Sequence, residues 1–412
     1  MKNKKEKIVP VLLGGDLNAY SVAMSFAEEF SVKSEVFARE KLAMTGLSSF
    51  INLHVVKELD DFNVAVPLLL DFAKNHRSEK LILVPCADWY VEMLEYARDA
   101  LTEHFYFNIP DFKVWKTVTD KATFTTLIDR LNISHPRTEI FDENFSEMEM
   151  RAKNMKPPFV LKPSDSSEYW RHKFEGMKKV YFPASLDEAK RIGKRIYNSG
   201  YEGKLLLQEY IRRPNEKEPY ASVLTVYMNR TGEAVRAVLG DVLLEEQAPT
   251  ARGNYSAILT RPLDDMSNSL IKMLENIKYT GFANFDILND GEKSYCLELN
   301  ARQGRSFDYI RCADISLAQL LIADMKGVDI EPEFNYKCGL WRCVKRRTVS
   351  KYATDKQLLK RAGAIEKAHL AKTPYDFSED KKLLRRFYVF MHLLRENKRY
   401  ASFNNRKNIL EP

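Results

Sequence analysis

The residues with the clearest chemical potential lie in two extended segments joined by a turn, GFANFDIL and SYCLELN. The turn, residues 289–292 (NDGE), is typical of a β-hairpin. Because successive side chains of a strand point to opposite faces, Glu298 and Asn300 share one face of the second strand, and Asp286 of the first strand lies near them. Two carboxylates and an amide oxygen suit Mg²⁺, which also binds substrate phosphates. The sequence therefore predicts a metal site at Asp286, Glu298 and Asn300.

Two arginines follow this hairpin directly, at Arg302 and Arg305. Guanidinium groups beside a metal can hold the phosphoryl or carboxylate oxygens on which charge develops during group transfer. Both are therefore candidate catalytic residues. The alternative is a surface hairpin with ordinary solvated charges, but the apolar residues between the predicted ligands favour buried strands, in which carboxylates need partners.

A lysine ends an apolar strand upstream, in residues 157–163 (PPFVLKP). A buried strand has no use for the terminal Lys162 unless its ammonium meets an anion such as phosphate. The next segment, residues 164–179, contains one glycine and ends in Lys178 and Lys179. It is too poor in glycine for a GxxxxGKS phosphate loop, and we interpret it as a flexible lid that excludes water.

Another apolar strand, residues 204–211 (KLLLQEYI), has a polar end at Gln208 and Glu209. Such an edge can bind adenine through backbone hydrogen bonds and an acceptor for the exocyclic amine. Taken alone, the pattern is also that of an ordinary strand end.

Alternating strands and helices in the N-terminal part predict a small parallel sheet with helices on both sides. Asp16, Asn18 and Asp88 then lie at the carboxyl ends of strands, where such sheets bind ligands. These residues would serve equally well as helix caps and turn formers. The glycines at 14 and 15 do not form the GxGxxG fingerprint of dinucleotide-binding proteins.

Length and composition are those of a soluble globular protein of two to three domains, with 412 residues, 45% hydrophobic and 29% charged. No apolar run approaches a membrane span. The five cysteines form no CxxC pair, which indicates reduced thiols in a cytosolic protein. The net charge of +7 is concentrated at the end: residues 341–412 carry 19 Lys and Arg against 7 Asp and Glu, so the rest is net negative.

In chain order, five features together resemble the ATP-grasp superfamily: Lys121, FVLKP at 159–163, QEYI at 208–211, Asp286, and ELNAR at 298–302. The segments VPVLLGGDLNAYSVAMSF, FEGMKK, YTGFANFD and NARQGRS are similar to those of bacterial D-aspartate ligases, which build peptidoglycan cross-bridges. The resemblance implies an ATP-grasp fold of mixed α/β and α+β class. Its expected parts are an N-terminal parallel α/β domain (1–116), a central lid subdomain (117–205), a C-terminal antiparallel-sheet subdomain with the metal site (206–333), and a basic helical tail (334–412).

The resemblance also implies a role for each site residue. The expected ATP-binding residues are Lys121, Lys162 and Lys178 or Lys179 for the phosphates, Gln208, Glu209, Tyr210 and Ile211 for adenine, and Glu216 or Glu218 for the ribose. Asp286, Glu298 and Asn300 would bind two Mg²⁺ ions, and Arg302 would stabilise an acyl phosphate. Arg305 with Ser306 would hold the amino-acid carboxylate, with Asp16 and Asn18 on the substrate side.

The implied activity is that of an ATP-dependent carboxylate–amine ligase working through an acyl phosphate. The favoured amino acid is D-aspartate and the favoured acceptor is the lysine side-chain amine of a cell-wall precursor; a different amino acid or acceptor is the alternative. No nucleic-acid partner is expected, because the basic residues belong to no recognisable nucleic-acid module.

A basic amphipathic pattern in residues 381–399 leaves two interpretations open. Such a helix can lie on an anionic membrane, which would place a cytoplasmic protein at the inner face of that membrane. The same apolar stripe would also serve to dock the helix on the protein's own core.

Overall fold

The computed structural model describes residues 7–212, 220–246 and 253–404. Its strands form three sheets, of five, three and seven strands. Each sheet is built from a separate stretch of the chain, and the five-stranded and seven-stranded sheets share their hydrophobic cores. The site described below lies where these units meet.

The N-terminal unit is the predicted parallel sheet, with strand order β3-β2-β1-β4-β5. Its elements are β1 (Ile8–Leu13), α1 (Leu17–Phe30), β2 (Ser34–Ala38), α2 (Ala43–Gly46), β3 (Ile51–Val55), α3 (Phe62–Asn75), β4 (Lys80–Pro85), α4 (Asp88–Tyr96), α5 (Arg98–Thr102) and β5 (Phe105–Tyr106). Alternate side chains of β1 enter two different cores, Leu12 with α1 on one face and Val11 with α3 on the other. Helices therefore cover both faces of the sheet.

The middle of the chain forms the antiparallel sheet β6-β8-β7 with a core of its own. Its elements, after α6 (Phe112–Thr119) and α7 (Lys121–Arg130), are β6 (Thr138–Phe141), a 3₁₀ helix (Phe145–Glu147), α8 (Met148–Ala152), β7 (Phe159–Pro163), α9 (Ser166–Arg171), α10 (Leu186–Asn198) and β8 (Leu205–Glu209). The segment predicted as a plain lid loop thus contains a helix, α9. Asp165 caps it by accepting a hydrogen bond from the backbone N–H of Glu168.

The third unit is the seven-stranded sheet, in the order β13-β12-β9-β10-β11-β14-β15. Its elements are β9 (Ala221–Met228), β10 (Ala234–Glu245), β11 (Tyr255–Arg261), α11 (Asp265–Asn276), β12 (Gly281–Asn289), β13 (Ser294–Asn300), a 3₁₀ helix (Phe307–Ala313), α12 (Leu317–Met325), β14 (Leu340–Arg342), α13 (Arg346–Tyr352), α14 (Lys356–Lys367), β15 (Ala371–Lys372) and α15 (Leu383–Asn404). β14 and β15 come from the segment predicted as a helical tail, so that segment also extends the sheet.

The last helix, α15, docks on the protein through its polar and aromatic face. Arg385 is buried and pairs with Asp380 and with the hydroxyl of Tyr20 in the N-terminal unit. Near the other end, the buried Tyr400 donates a hydrogen bond to Ser256 Oγ at 2.8 Å. The first half of the apolar stripe stays in solvent, with Leu383, Leu384, Phe387 and Phe390 between 80% and 54% exposed, whereas Met391 and Leu394 are partly buried. Docking on the core therefore does not use the first half of this stripe.

Across the described ranges, no helix combines the length and the apolarity needed to cross a lipid bilayer.

Candidate active site

The hairpin of β12 and β13 brings the predicted metal ligands together. Asp286 pairs with Glu298 across the two strands, and Asn284 pairs with Asn300. The register shifts immediately after Asp286, which marks a β-bulge, a feature common beside active sites. The turn chemistry of residues 289–292 fixes this register, so the two carboxylates lie opposite each other as the sequence predicts.

Asp286 has two hydrogen-bond donors. Tyr255, on β11, donates its hydroxyl to Asp286 Oδ1 at 2.8 Å, and Asn300 donates its amide nitrogen to Oδ2 at 3.2 Å. Burial and the neighbouring charge of Glu298 nevertheless raise the pKa of Asp286. The protein alone therefore stabilises the charge of this carboxylate less than it stabilises the charge of Glu298. Tyr255 was missed in the sequence because it lies far from the hairpin in the chain.

Glu298 behaves in the opposite way, because lysines surround it. Lys121 Nζ lies 3.6 Å from Glu298 Oε2. Burial opposes ionisation of Glu298, but the charges of Lys121, Lys179 and Lys162 outweigh burial and lower its pKa. Glu298 is therefore an ionised carboxylate at neutral pH.

Lys162, at the end of β7, is buried, as the sequence predicts. Burial and the charges of Lys121 and Lys179 lower its pKa to about 8, although Glu298 acts in the other direction. Three ammonium groups near two carboxylates form a surplus of positive charge, which a polyphosphate would balance.

The two lysines at the end of the lid segment differ in their surroundings. The charge of Lys179 acts on Lys162, Asp286 and Glu298. Lys178 is fixed by its backbone instead: its carbonyl accepts from the Tyr169 hydroxyl and its N–H donates to the Tyr181 hydroxyl. Lys121 also contacts the lid, because its Nζ donates to Ser166 Oγ at 2.8 Å. Of the two lysines, Lys179 is thus the one whose charge acts on both carboxylates.

The predicted adenine segment lies at the end of β8. Gln208 is buried and donates to Thr138 Oγ1 at 2.8 Å, so its amide is already bonded within the protein. Glu209 is partly exposed, Tyr210 packs edge-on against Phe182, and the carbonyl of Ile211 accepts from the Tyr220 hydroxyl. The predicted ribose residues, Glu216 and Glu218, lie outside the described residues.

The donor set at the hairpin fits magnesium. The described residues contain no cluster of three or more His, Cys, Asp or Glu side chains that could hold a metal alone. Here two carboxylates and one amide converge, and the pKa of Asp286 is raised by its anionic neighbour. This is the incomplete oxygen set that Mg²⁺ takes when substrate phosphates supply further ligands. Asn300 would contribute its Oδ1, because its nitrogen faces Asp286.

Arg302 lies at the junction of the N-terminal sheet and the hairpin. Its Nη2 donates to Asp88 Oδ2 at 2.8 Å, and its Nη1 donates to the carbonyl of Gln303 at 3.1 Å. Burial opposes its charge, but Asp88, Asp16 and Asp286 overcome that effect and raise its pKa. Arg302 is therefore a fixed cation within electrostatic reach of the metal ligands.

The predicted substrate residues at the end of β1 have structural partners. Asp16 caps α1 by accepting from the backbone N–H groups of Asn18 and Ala19. Asn18 is 1% exposed and donates to the carbonyls of Cys86 and Gln303, both at 3.2 Å. Asn18 thus ties the parallel sheet to the loop that carries the arginines. Contact of Asp16 and Asn18 with a substrate stays a prediction.

Arg305 and Ser306 end the same loop. Arg305 Nη1 lies 3.0 Å from Glu246 Oε1, a residue that the sequence analysis did not identify. Ser306 is buried and precedes the 3₁₀ helix. Gly304 allows the loop to lie against the hairpin, because a Cβ there would fall 2.8 Å from Asn284 Oδ1.

Comparison with known proteins extends these observations. No family model matches the chain. A D-aspartate ligase from Enterococcus faecium (strain Aus0004) is 29% identical over 415 residues, covering 96% of this chain and 97% of the relative.

Solved structures show the same fold at low sequence identity. The biotin carboxylase domain of Hydrogenobacter thermophilus 2-oxoglutarate carboxylase, solved with MgADP and bicarbonate, has a TM-score of 0.60 at 16% identity, covering 80% of this chain and 71% of that one. Phosphoribosylamine–glycine ligase from Thermotoga maritima has a TM-score of 0.56 at 14% identity, covering 81% of this chain and 78% of that one. N5-carboxyaminoimidazole ribonucleotide synthetase from Thermus thermophilus has a TM-score of 0.56 at 16% identity, covering 80% of this chain and 81% of that one. The chain therefore has the ATP-grasp fold, and its sequence is similar to that of a D-aspartate ligase over almost its whole length.

Proposed function

We propose that this protein is an ATP-dependent carboxylate–amine ligase that joins D-aspartate to the lysine side-chain amine of a peptidoglycan precursor and releases ADP and phosphate. The observation that carries the proposal is the pairing of Asp286 with Glu298 beside Lys121 and Lys162. The similarity to D-aspartate ligase over almost the whole chain supports the choice of amino acid.

The chemistry explains why such a site is needed. A carboxylate does not react with an amine at neutral pH, because an oxide would have to leave. When a carboxylate oxygen attacks the γ-phosphorus of ATP, the bond to ADP breaks and an acyl phosphate forms. The amine then attacks the acyl carbon, phosphate leaves, and the nitrogen loses a proton to give the amide. Catalysis of these steps is mainly positioning and charge stabilisation.

The charged residues divide this work. Lys121, Lys162 and Lys179 would hold the phosphate oxygens of ATP. Asp286, Glu298 and Asn300 would hold two Mg²⁺ ions, which supply neutralisation of the negative charge on the phosphates. These assignments follow from the convergence of the groups around Glu298.

The residues next to the metal ligands would position the amino acid. Arg302, which is within electrostatic reach of Asp286, would hold the carboxylate while it is phosphorylated. Arg305 and Ser306 would hold a second carboxylate of the amino acid, with Asp16 and Asn18 on the side of the parallel sheet.

The lid segment would exclude water from the acyl phosphate. It begins after β7, contains α9, and contacts one of the proposed phosphate-binding lysines through the bond between Lys121 and Ser166. Water would hydrolyse the acyl phosphate, so closure of this segment around ATP would protect that intermediate. Lys179 is the lid residue that we assign to the phosphates, with Lys178 as the alternative.

An amino-acid panel tests the proposal. Purified protein is incubated with ATP, Mg²⁺, a lysine-containing cell-wall precursor and each of a set of D- and L-amino acids, and phosphate release and product mass are measured. We expect phosphate release and a mass increase of one aspartate residue with D-aspartate. Phosphate release with another amino acid would favour a ligase of different specificity, and no release with any would refute the ligase assignment.

The exposed stripe of α15 supports contact with an anionic membrane, where lipid-linked precursors are found. Leu383 is 80% exposed, Phe387 is 62% exposed, and basic residues flank them, including Lys381, Arg386 and Lys345, whose Nζ lies 5.1 Å from the ring centre of Phe390. This combination of apolar and basic groups suits an anionic bilayer surface. Use of ATP and five unpaired cysteines favour a cytoplasmic location for the protein.

Vesicle sedimentation tests this contact. The protein should sediment with phosphatidylglycerol vesicles more than with phosphatidylcholine vesicles, and Phe387→Glu should abolish the difference. Val328→Glu, at another exposed apolar position, is the matched control and should bind like the wild type. Equal sedimentation with both lipids, or full binding by Phe387→Glu, would rule out membrane contact through this helix.

A further inference from the structure

A buried carboxylate outside the predicted catalytic set connects the active-site loop to the last helix. Glu246 follows β10, and its side chain is 6% exposed. Its Oε1 lies 3.0 Å from Arg305 Nη1, while its Oε2 pairs with the guanidinium of Arg399 on α15. One carboxylate is thus shared between the arginine predicted to hold the substrate and an arginine 94 residues later.

The position of Arg399 is itself fixed. Glu396, one turn earlier on α15, lies with Oε1 3.3 Å from Arg399 Nη1. The next residue, Tyr400, is buried and bonds Ser256 Oγ and the carbonyl of Glu245, the residue before Glu246. The helix therefore holds Arg399 against the strand end that carries Glu246.

Arg305 keeps donors unused within this arrangement. Its Nη1 is buried but has no hydrogen-bond partner among the described residues, although Glu246 is near enough for an ion pair. Burial opposes the charge of Arg305, but Cys343, Glu246, Asp16 and Tyr375 outweigh burial and raise its pKa. A permanently charged guanidinium with free N–H groups is suited to a carboxylate ligand.

Aromatic residues of the C-terminal segment line the same region. The hydroxyl of Tyr375 and Nε2 of His392, on α15, are 3.2 Å apart. Burial and the charges of Arg305, Arg399 and Arg395 lower the pKa of His392 to about 4, so the imidazole is neutral at pH 7. The positive charge of this region therefore resides on its arginines.

We propose that α15 is part of the amino-acid site: Glu246 and Arg399 position Arg305 to bind a carboxylate of the amino-acid substrate. Arg399 and Glu246 are positioning residues, because they act through Arg305. The inference rests on the proposed ligase function and adds to it that the C-terminal segment contributes to substrate selection.

Steady-state kinetics of the full-length chain test this inference. In Arg399→Ala, loss of the charged contact should raise the KM for D-aspartate about tenfold or more and leave the KM for ATP within about twofold. Arg399→Lys should raise the KM for D-aspartate less than Arg399→Ala does, because it keeps the charge. The isosteric Glu246→Gln should show the same selective rise in KM. Lys398→Ala, at an exposed neighbouring position of α15, is the matched control and should behave like the wild type.

The possible failures are distinguishable. If the wild type is active and Arg399→Ala has an unchanged KM for D-aspartate, the positioning role is refuted and the ligase function stands. If Arg399→Ala raises the KM for ATP as much as the KM for D-aspartate, and Arg399→Lys restores neither value, Arg399 has only a structural role. That result would also refute the inference. A wild type without activity towards any amino acid would overturn both proposals.

Discussion

The two ends of the candidate site are built in different ways. At the proposed phosphate end, the predicted metal ligands come from one hairpin, and the lysines come from strand and helix ends that are distant in the chain but packed beside it. At the proposed amino-acid end, Arg302 and Arg305 come from one loop, but their partners Asp88 and Glu246, and Arg399, which pairs with Glu246, come from three distant parts of the chain. The geometry of the predicted metal ligands is therefore encoded locally, whereas the ion pairs that hold the two arginines of the proposed amino-acid end are long-range.

The electrostatics of the two ends differ as well. At the phosphate end the pKa values are displaced in opposite directions, upward for Asp286 and downward for Glu298 and Lys162. At the amino-acid end each arginine already has a carboxylate partner, and its pKa is raised. The first end is unbalanced without its ligands, whereas the second is preformed. Binding of ATP and metal should therefore change the first end more than the second.

The largest effect is expected from Glu298→Gln. This change removes the charge that lies between the lysines and the predicted metal ions, so phosphate release should fall roughly 10²- to 10³-fold, as for loss of a single transition-state contact. Glu292→Gln, in the exposed turn of the same hairpin, is the control and should retain full activity. Similar rates for the two variants would contradict the assignment of the phosphate end.

The second effect should separate the two ends. Arg305→Ala should lower kcat/KM for the amino acid roughly 10²-fold, because a charged hydrogen bond and its positioning are lost together. The KM for ATP should stay near the wild-type value, since Arg305 pairs with Glu246 rather than with the phosphate residues. Steady-state kinetics with each substrate varied in turn measure both quantities. A rise in the KM for ATP alone would assign Arg305 to the phosphate end and contradict this prediction.

A pH profile should report the buried lysine. The pKa of Lys162 in the free protein is lowered to about 8, so the ammonium is present below that pH and is lost above it. We expect kcat/KM for ATP to be level between about pH 7 and pH 8 and to fall above pH 8, since a neutral amine does not hold phosphate. Lys162→Arg should remove this alkaline limb, the fall in kcat/KM above pH 8, because a guanidinium stays charged. An unchanged limb in that variant would assign the titration to another group.

The smallest effect is expected from Tyr255→Phe. The Tyr255 hydroxyl lowers the pKa of Asp286, so its loss should raise that pKa further and let protons compete better with Mg²⁺. The Mg²⁺ concentration for half-maximal activity should rise roughly threefold, with a larger change at pH 6.5 than at pH 8. Tyr295→Phe, whose hydroxyl bonds Asp290 in the hairpin turn, is the control. If the Mg²⁺ concentration for half-maximal activity rises equally at both pH values, the Tyr255 hydroxyl does not act through the pKa of Asp286.

The local parts of the fold were predictable because their signals lie close together in the chain. The turn at 289–292 and the alternation around Asp286 set the hairpin register, and the apolar strands predicted within 157–163 and 204–211 are β7 and β8. Weaker elements were missed. β3 has only one buried residue, so it lacks an apolar run, and α9 is a single short helix within a polar segment.

Long-range contacts could not be predicted in the same way. Glu246 and Arg399 are 153 residues apart, and no local pattern marks either as a partner of Arg305. The apolar stripe of α15 left open whether the helix faces a membrane or the protein's own core, and it did not indicate that the polar face docks. Buried carboxylates at Asp380 and Glu246 supply partners for Arg385 and Arg399, and these ion pairs allow the polar face to dock.

Isotope transfer tests the central claim most directly. D-Aspartate labelled with ¹⁸O in its carboxylates is incubated with the enzyme, ATP, Mg²⁺ and the acceptor, and the released phosphate is analysed by mass spectrometry. We expect one ¹⁸O atom in the phosphate for each amide formed, because the carboxylate oxygen that attacks ATP leaves with the phosphorus. Amide formation with unlabelled phosphate would contradict the acyl-phosphate mechanism and the assignment of the site.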